Sequence, residues 1–263
     1  MRILVTNDDG INAPGLAVAE AIAAAIAGPD GEVWVVAPAF EQSGVSHAIS
    51  FVRPMRIERF GTHRFAVEGS PADCVLAGLG DVMADCPPDL VLSGVNKGHN
   101  VAEDTLYSGT VGAAMEAAMH GHKAIAMSQY FGPDNRGAPD EFLAARNLAT
   151  GIIGNLLAKA AWADNRYGVF YNINFPPVGD MADVKGCKAT FQGHRPEPSF
   201  GVIPQEAPNM RRYLWLGHGK GNAQTEPGSD SRECLNGYAT VTPLRADLTA
   251  RDALPALEAA LGD

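Results

Sequence analysis

Arg2-Ile3-Leu4-Val5-Thr6-Asn7-Asp8-Asp9-Gly10 is the stretch on which the fold turns. Its apolar run, Ile3-Leu4-Val5, fits a short strand buried on both faces, as strands of parallel sheets are. Residues 14 to 27 then read as a helix, with Val18, Ile22 and Ile26 at i, i+4 and i+8 and Gly28-Pro29 ending it. Val33-Trp34-Val35-Val36 is a second buried strand, closing at Ala37-Pro38. Strand, helix and strand in this length make one right-handed crossover unit.

The same alternation continues outward. Residues 39–47 form a polar loop, and 49–58 with 64–68 suggest an antiparallel hairpin. Helices are expected over 71–83, 110–120 and 141–160, and strands over 90–92, 124–127 and 169–175. This pattern predicts an α/β fold of Rossmann-like, three-layer type with a mainly parallel sheet. After Pro176 the character changes. Residues 177–236 are rich in Gly, Pro, Asn and charge, too long for a structureless loop, and suggest an extended or β-hairpin arm. A strand over 237–244 and a helix over 251–261 complete the expectation. The whole reads as a single domain, residues 1–263, with a core of 1–176 plus 237–263 and an arm of 177–236 suited to a subunit contact.

Composition bounds the function. The chain has 263 residues, 46% hydrophobic and 19% charged, with a net charge of −10, which argues against binding long nucleic acid or an anionic membrane. No run approaches the roughly 20 apolar residues of a membrane span. The first apolar run is too short for a signal peptide. Cys74, Cys86, Cys187 and Cys234 show no C-x-x-C spacing, so a cytoplasmic, reducing location is expected. No H-E-x-x-H, P-loop, complete dinucleotide fingerprint or G-x-S-x-G elbow occurs.

In an open parallel sheet, ligands bind beyond the carboxyl ends of the strands. Three such ends carry oxygen-bearing residues beside glycines: Asn7-Asp8-Asp9-Gly10, Glu41-Gln42-Ser43-Gly44 and Ser93-Gly94-Val95-Asn96-Lys97-Gly98-His99-Asn100. The adjacent acids Asp8 and Asp9, with Ser43 and Asn96, suit a hard divalent ion such as Mg²⁺ or Mn²⁺. The same acids also suit a helix N-cap and first turn, which the pair alone does not exclude. Tyr107-Ser108-Gly109-Thr110 opens a helix, whose N-terminal amides and hydroxyls fit a phosphate, although Ser108 also serves as a plain N-cap.

Taken in order, these pieces resemble the SurE family, the stationary-phase survival nucleotidases. Residues 5–15, 37–44, 69–75, 93–100, 107–111, 172–176 and 237–244 follow the family's sequence of motifs, and the resemblance covers about residues 1–250. It implies a metal-dependent phosphomonoesterase that hydrolyses nucleoside 5′-monophosphates, with 3′-monophosphates and short polyphosphate as further substrates. It maps one divalent ion per subunit, Mg²⁺ or Mn²⁺, onto Asp8, Asp9, Ser43 and Asn96, and phosphate binding onto Asn100, Ser108, Gly109 and Thr110. Asp8 and Asp9 are then the catalytic acids, Asp8 positioning or deprotonating the attacking water. It also implies a homodimer or homotetramer built through the C-terminal arm. Ala39 and Phe40 depart from the acid and base that many members carry there. A nucleotide-sugar glycosyltransferase and a non-catalytic nucleotide-binding module stand as the alternatives.

Overall fold

The computed structural model describes residues 1–163, 167–197, 200–207, 209–218 and 225–262. The crossover unit at the N-terminus forms as expected: β1 (Arg2–Thr6), α1 (Pro14–Ala27) and β2 (Glu32–Pro38), with β1 and β2 parallel. There follow β3 (Ile57–Gly61), β4 (Arg64–Val67), α2 (Pro71–Ala77), β5 (Leu90–Lys97), α3 (Gly109–Met119), β6 (Ala124–Gln129), α4 (Leu143–Lys159) and β7 (Phe170–Phe175). The remainder holds β8 (Cys187–Ala189), β9 (Phe200–Glu206), β10 (Arg212–His218), α5 (Asp230–Leu235), β11 (Ala239–Leu244) and α6 (Leu254–Leu261).

One sheet runs β3-β4-β2-β1-β5-β6-β7-β11-β8. From β4 to β7 every neighbouring pair is parallel, while β3 and β11 pair antiparallel with β4 and β7. Two apolar clusters cover its faces. Ile3, Val5, Leu92, Ile125 and Ile173 pack with α1 and α4, and Leu4, Val36, Val91 and Phe170 pack with α2 and α3. This is the three-layer arrangement that alternation along doubly buried strands produces. From β1 the chain proceeds to β2 on one side and later to β5 on the other, so the switch point lies between β1 and β5.

The differences from the sequence reading have local causes. The helix expected over 71–83 is α-helical only to Ala77 and continues as a wider turn over Gly78–Val82. Gly78 and Gly80 weaken it, and Gly78 lies against Leu4, where a Cβ would come within 2.8 Å of Leu4 Cδ2. Residues 49–56 do not join the hairpin. Phe51 and Val52 are exposed, and Pro54 cannot donate to a ladder. Residues 93–97, read as loop, extend β5, with a register irregularity opposite β6 at Gly94, whose φ is +127°. Helix α5 went unforeseen, although Ser229 caps it and Asp230 stands in its first turn.

Among the described residues of the stretch 177–236, only the β9–β10 hairpin forms a sheet of its own. β8 sits on the main sheet's edge, and α5 buries Asp230, Ser231 and Cys234. Residues 198–199, 208 and 219–224 of the expected arm lie outside the described residues. Helix α6 forms as expected but carries no buried side chain. No helix among the described residues is long and apolar enough to cross a membrane.

Candidate active site

Beyond the carboxyl ends of β1 and β5 lies a cleft of about 720 Å³. Asp8, Ser43, Asn96, Asn100 and Ser108 line it together, so residues from four separate sequence segments meet there. Lys97, His99, Arg136 and Arg195 supply cationic or protonatable groups, while Tyr107, Phe131 and Phe200 supply apolar walls. Asp104 and Glu141 line the cleft as well, and Arg195 is paired with Asp104.

Asp8 is the most constrained member, at 4% exposure. Its Oδ1 accepts a bond from the Thr110 hydroxyl at 2.6 Å, and its Oδ2 accepts the Thr110 amide at 3.1 Å. The start of α3 is thus tied to the end of β1. Gly109 permits the approach, since a Cβ there would stand 3.0 Å from Asp8 Cβ and 2.9 Å from Pro71 Cγ. The Asp8 carbonyl also accepts the Gln42 amide at 2.7 Å, which fixes the Ser43 loop beside it. Burial pushes the Asp8 carboxyl up to about 6, against the Thr110 bonds and with help from the Asp9 charge. Asp9 is raised as well, by burial first and by the Glu41 charge, while the Lys97 amide, 3.0 Å from its Oδ2, works the other way.

Both donors of Thr110 therefore serve Asp8. Ser108 is the N-cap of α3, its Oγ accepting the Val111 amide at 3.1 Å, which leaves its own O–H to donate. Asp9, Gly109 and Thr110 stand behind the lining residues, and Ser43 Oγ donates to Glu41 Oε1 at 3.0 Å. Asn96 donates to the Gly98 carbonyl at 3.0 Å, leaving its side-chain oxygen toward neighbours.

The donor set fits a hard divalent cation. Asp8, Ser43 and Asn96 present carboxylate, hydroxyl and amide oxygens to one cleft, and the buried Asp8 and half-buried Asp9 carboxylates are both raised by a desolvation that a cation would offset. Among the described residues no group of three or more His, Cys, Asp or Glu could hold a metal ion. A zinc-like cluster is thus not formed, and an ion here would rely on neutral oxygens as well.

Sequence reasoning missed the wall opposite Asp8. Arg195, 4% exposed, puts Nη2 2.9 Å from Asp104 Oδ2, and His99 Nε2 lies 3.2 Å from the same oxygen. Burial works to raise Asp104, but the bonds from His99 and Arg195 outweigh it and hold its carboxyl below the usual range. His99 stacks on Tyr130 with ring centres 4.1 Å apart. Tyr107 meets Phe200, the first residue of β9, edge to face at 5.0 Å. Arg195 and Phe200 come from a stretch without periodicity, so nothing in their surroundings marked them.

The family model described as Survival protein SurE matches residues 3–198. The chain belongs to the SurE family. Among its curated SurE relatives, one from Ruegeria pomeroyi is 58% identical over 99% of this chain and 100% of its own length. Another, from Cereibacter sphaeroides, is 57% identical over the full length of both. Each bears the name 5′-nucleotidase SurE. The crystal structure of the SurE protein of Aquifex aeolicus superposes with a TM-score of 0.81 at 32% identity, covering both chains completely. The SurE match therefore extends over the sheet, the cleft and the C-terminal elements alike.

Proposed function

We infer that this SurE chain is a metal-dependent 5′-nucleotidase, hydrolysing nucleoside monophosphates to nucleoside and phosphate. The observation that carries the reading is Asp8, buried in the cleft and held by α3's first turn in a chain whose full-length relatives are nucleotidases. The glycosyltransferase and the non-catalytic module find no support among those relatives.

The ion would be held by Asp8, Asp9, Ser43 and Asn96, with Mg²⁺ and Mn²⁺ as the candidates. When bound, it supplies charge neutralisation for the phosphate and a more acidic water. The chain's own groups do the rest. Asp8 would position or deprotonate the attacking water beside the ion, with Thr110 fixing both of its oxygens. The Ser108 hydroxyl, the Gly109 amide and the Asn100 carboxamide would bind the phosphate oxygens, while the Thr110 amide and hydroxyl serve that site through Asp8. Lys97 adds positive potential, and Tyr107 and Phe200 offer apolar surface to the nucleoside.

The protein works as a homodimer or homotetramer, joined through the β9–β10 hairpin, in the cytoplasm. Two observations support the assembly. Val202, Leu214, Trp215 and Leu216 are 59%, 61%, 62% and 76% exposed. The chain exposes 13662 Å², about a quarter more than the roughly 11,000 Å² expected of a compact protein of this mass.

The test is a panel of 5′- and 3′-nucleoside monophosphates, short polyphosphate and an aryl phosphate, assayed for phosphate release with Mg²⁺, Mn²⁺ or EDTA. Release from 5′-monophosphates that EDTA abolishes and either ion restores is the expected outcome. Turnover that resists chelation would remove the ion from the site, and no turnover with any ion would remove the reading.

A further inference from the structure

Asn172-Ile173-Asn174 lies in the middle of β7, a strand buried along its whole length. Ile173 and Phe175 point to the α1 and α4 side, as an apolar strand requires. Alternation sends Asn172 and Asn174 to the α3 side, and both are 0% exposed. Two amides there lose their hydration for no gain in strand pairing, which needs only backbone groups. Their side chains instead converge on one residue of the cleft.

Asn174 Oδ1 accepts the Asn100 backbone N–H at 2.8 Å, and Asn174 Nδ2 donates to the Asn100 carbonyl at 3.0 Å. Asn172 Nδ2 donates to the same carbonyl at 2.7 Å. Asn100 Nδ2 in turn donates to Ser128 Oγ at 2.7 Å, and Ser128 is the β6 residue directly opposite Asn174. The backbone donor and acceptor of Asn100 are thus held from β7, and its carboxamide is oriented from β6. Asn172 Oδ1 finds no partner among the described residues. A buried amide left half satisfied is a poor device for stability alone.

We propose that Asn172, Asn174 and Ser128 are positioning residues that act through Asn100, setting its carboxamide for a phosphate group in the cleft. Asn100 lines that cleft while being itself 6% exposed, so a small rotation would withdraw it. The bond to Ser128 uses one of the two Asn100 N–H groups and fixes the plane of the amide, leaving the other N–H to donate to a phosphate oxygen. This rests on the reading above that Asn100 meets the substrate phosphate. It adds why a buried parallel strand carries two asparagines.

The test uses the full chain, with inorganic phosphate as a competitive inhibitor of nucleoside monophosphate hydrolysis. Asn174→Ala is expected to raise Ki for phosphate and KM together by roughly tenfold or more, since small misplacement of a binding group is costly. Half-saturating Mn²⁺ should stay unchanged. Ser128→Ala, which spares the backbone bonds, is expected to give a smaller rise of the same kind and serves if Asn174→Ala fails to fold. Asn100→Ala/Asn174→Ala should bind phosphate no worse than Asn100→Ala, because the second change acts through the first. Thr242→Val breaks a comparable buried contact, the 2.8 Å hydroxyl pair with Thr190, and should lower thermal stability while leaving Ki alone. If Asn174→Ala and Ser128→Ala leave Ki within twofold while Asn100→Ala raises it, the positioning role is overturned. A rise with Thr242→Val as large as with Asn174→Ala would overturn it too. If Asn100→Ala itself leaves Ki unchanged, the phosphate reading of Asn100 fails instead.

Discussion

The rim at the strand ends and the β9–β10 hairpin invert the usual sorting of side chains in opposite senses. At the rim, Asp8, Asn100, Thr110, Asn172 and Asn174 are buried although polar. On the hairpin, Leu214, Trp215 and Leu216 are mostly exposed although apolar. The rim offsets its desolvation with hydrogen bonds that leave specific groups facing a cleft. The hairpin makes no such repayment within the chain, and its apolar surface is what a second subunit would cover. On the proposed function, the departure from sorting serves a small ligand in one region and a second subunit in the other.

The largest effect that would break this comparison is expected at Asp8. Asp8→Asn should lower phosphatase turnover by about 10²- to 10⁴-fold while leaving the fold intact. It should also stabilise the chain in EDTA near neutral pH. The Asp8 carboxyl sits at about 6 in the folded chain against 3.8 when free. Between these values Asp8 binds more protons in the folded state than in the unfolded one, so its own contribution to stability is greatest at low pH and is lost as pH rises through 6, by up to about 3 kcal/mol. Melting in EDTA at several pH values checks this. A pH slope shared equally by the wild type and Asp8→Asn would detach Asp8 from the burial cost assigned to it.

Glycine substitutions sharpen the contrast between a crowded rim and an open surface. Gly109→Ala drives a methyl against Asp8 and Pro71, and overpacking of this kind is expected to cost about 1–3 kcal/mol and to depress turnover. Gly151→Ala, in the exposed part of α4 with no atom within 4 Å of the new methyl, should instead stabilise by about 0.5–1 kcal/mol and leave turnover alone. Thermal melts and initial rates on both variants decide it. The smallest effect on folding belongs to the hairpin. Leu216→Glu should change the stability of the single chain by no more than about 0.5 kcal/mol, yet shift the sedimenting species toward one subunit. An unchanged sedimentation profile would place the subunit contact elsewhere.

Much of the fold was legible because short apolar runs and 3.6-residue periodicity are local signals. β1, α1, β2, α3, β6 and β7 lie within a residue or two of their expected bounds. The misplaced boundaries all involve glycine or proline acting through neighbours: Gly78 against Leu4, Gly94 at the turn in β5, and Pro54 in the loop before β3. At the site, Asp8, Asp9, Ser43 and Asn96 could be singled out because oxygen-bearing residues beside glycine at strand ends are a recognisable pattern. Arg195, Asp104 and Phe200 could not, since no local pattern links residues so far apart in the chain.

By itself the sequence determined that this chain folds as an α/β sheet with acidic and amide groups at the strand ends, because side-chain period and turn chemistry are written residue by residue. Tertiary structure alone decided that Thr110 spends both donors on Asp8, that Arg195 returns to Asp104, and that two asparagines of β7 grip Asn100. Those contacts depend on which strands lie side by side and in what register. That choice is made by the packing of the whole sheet between its two helical layers.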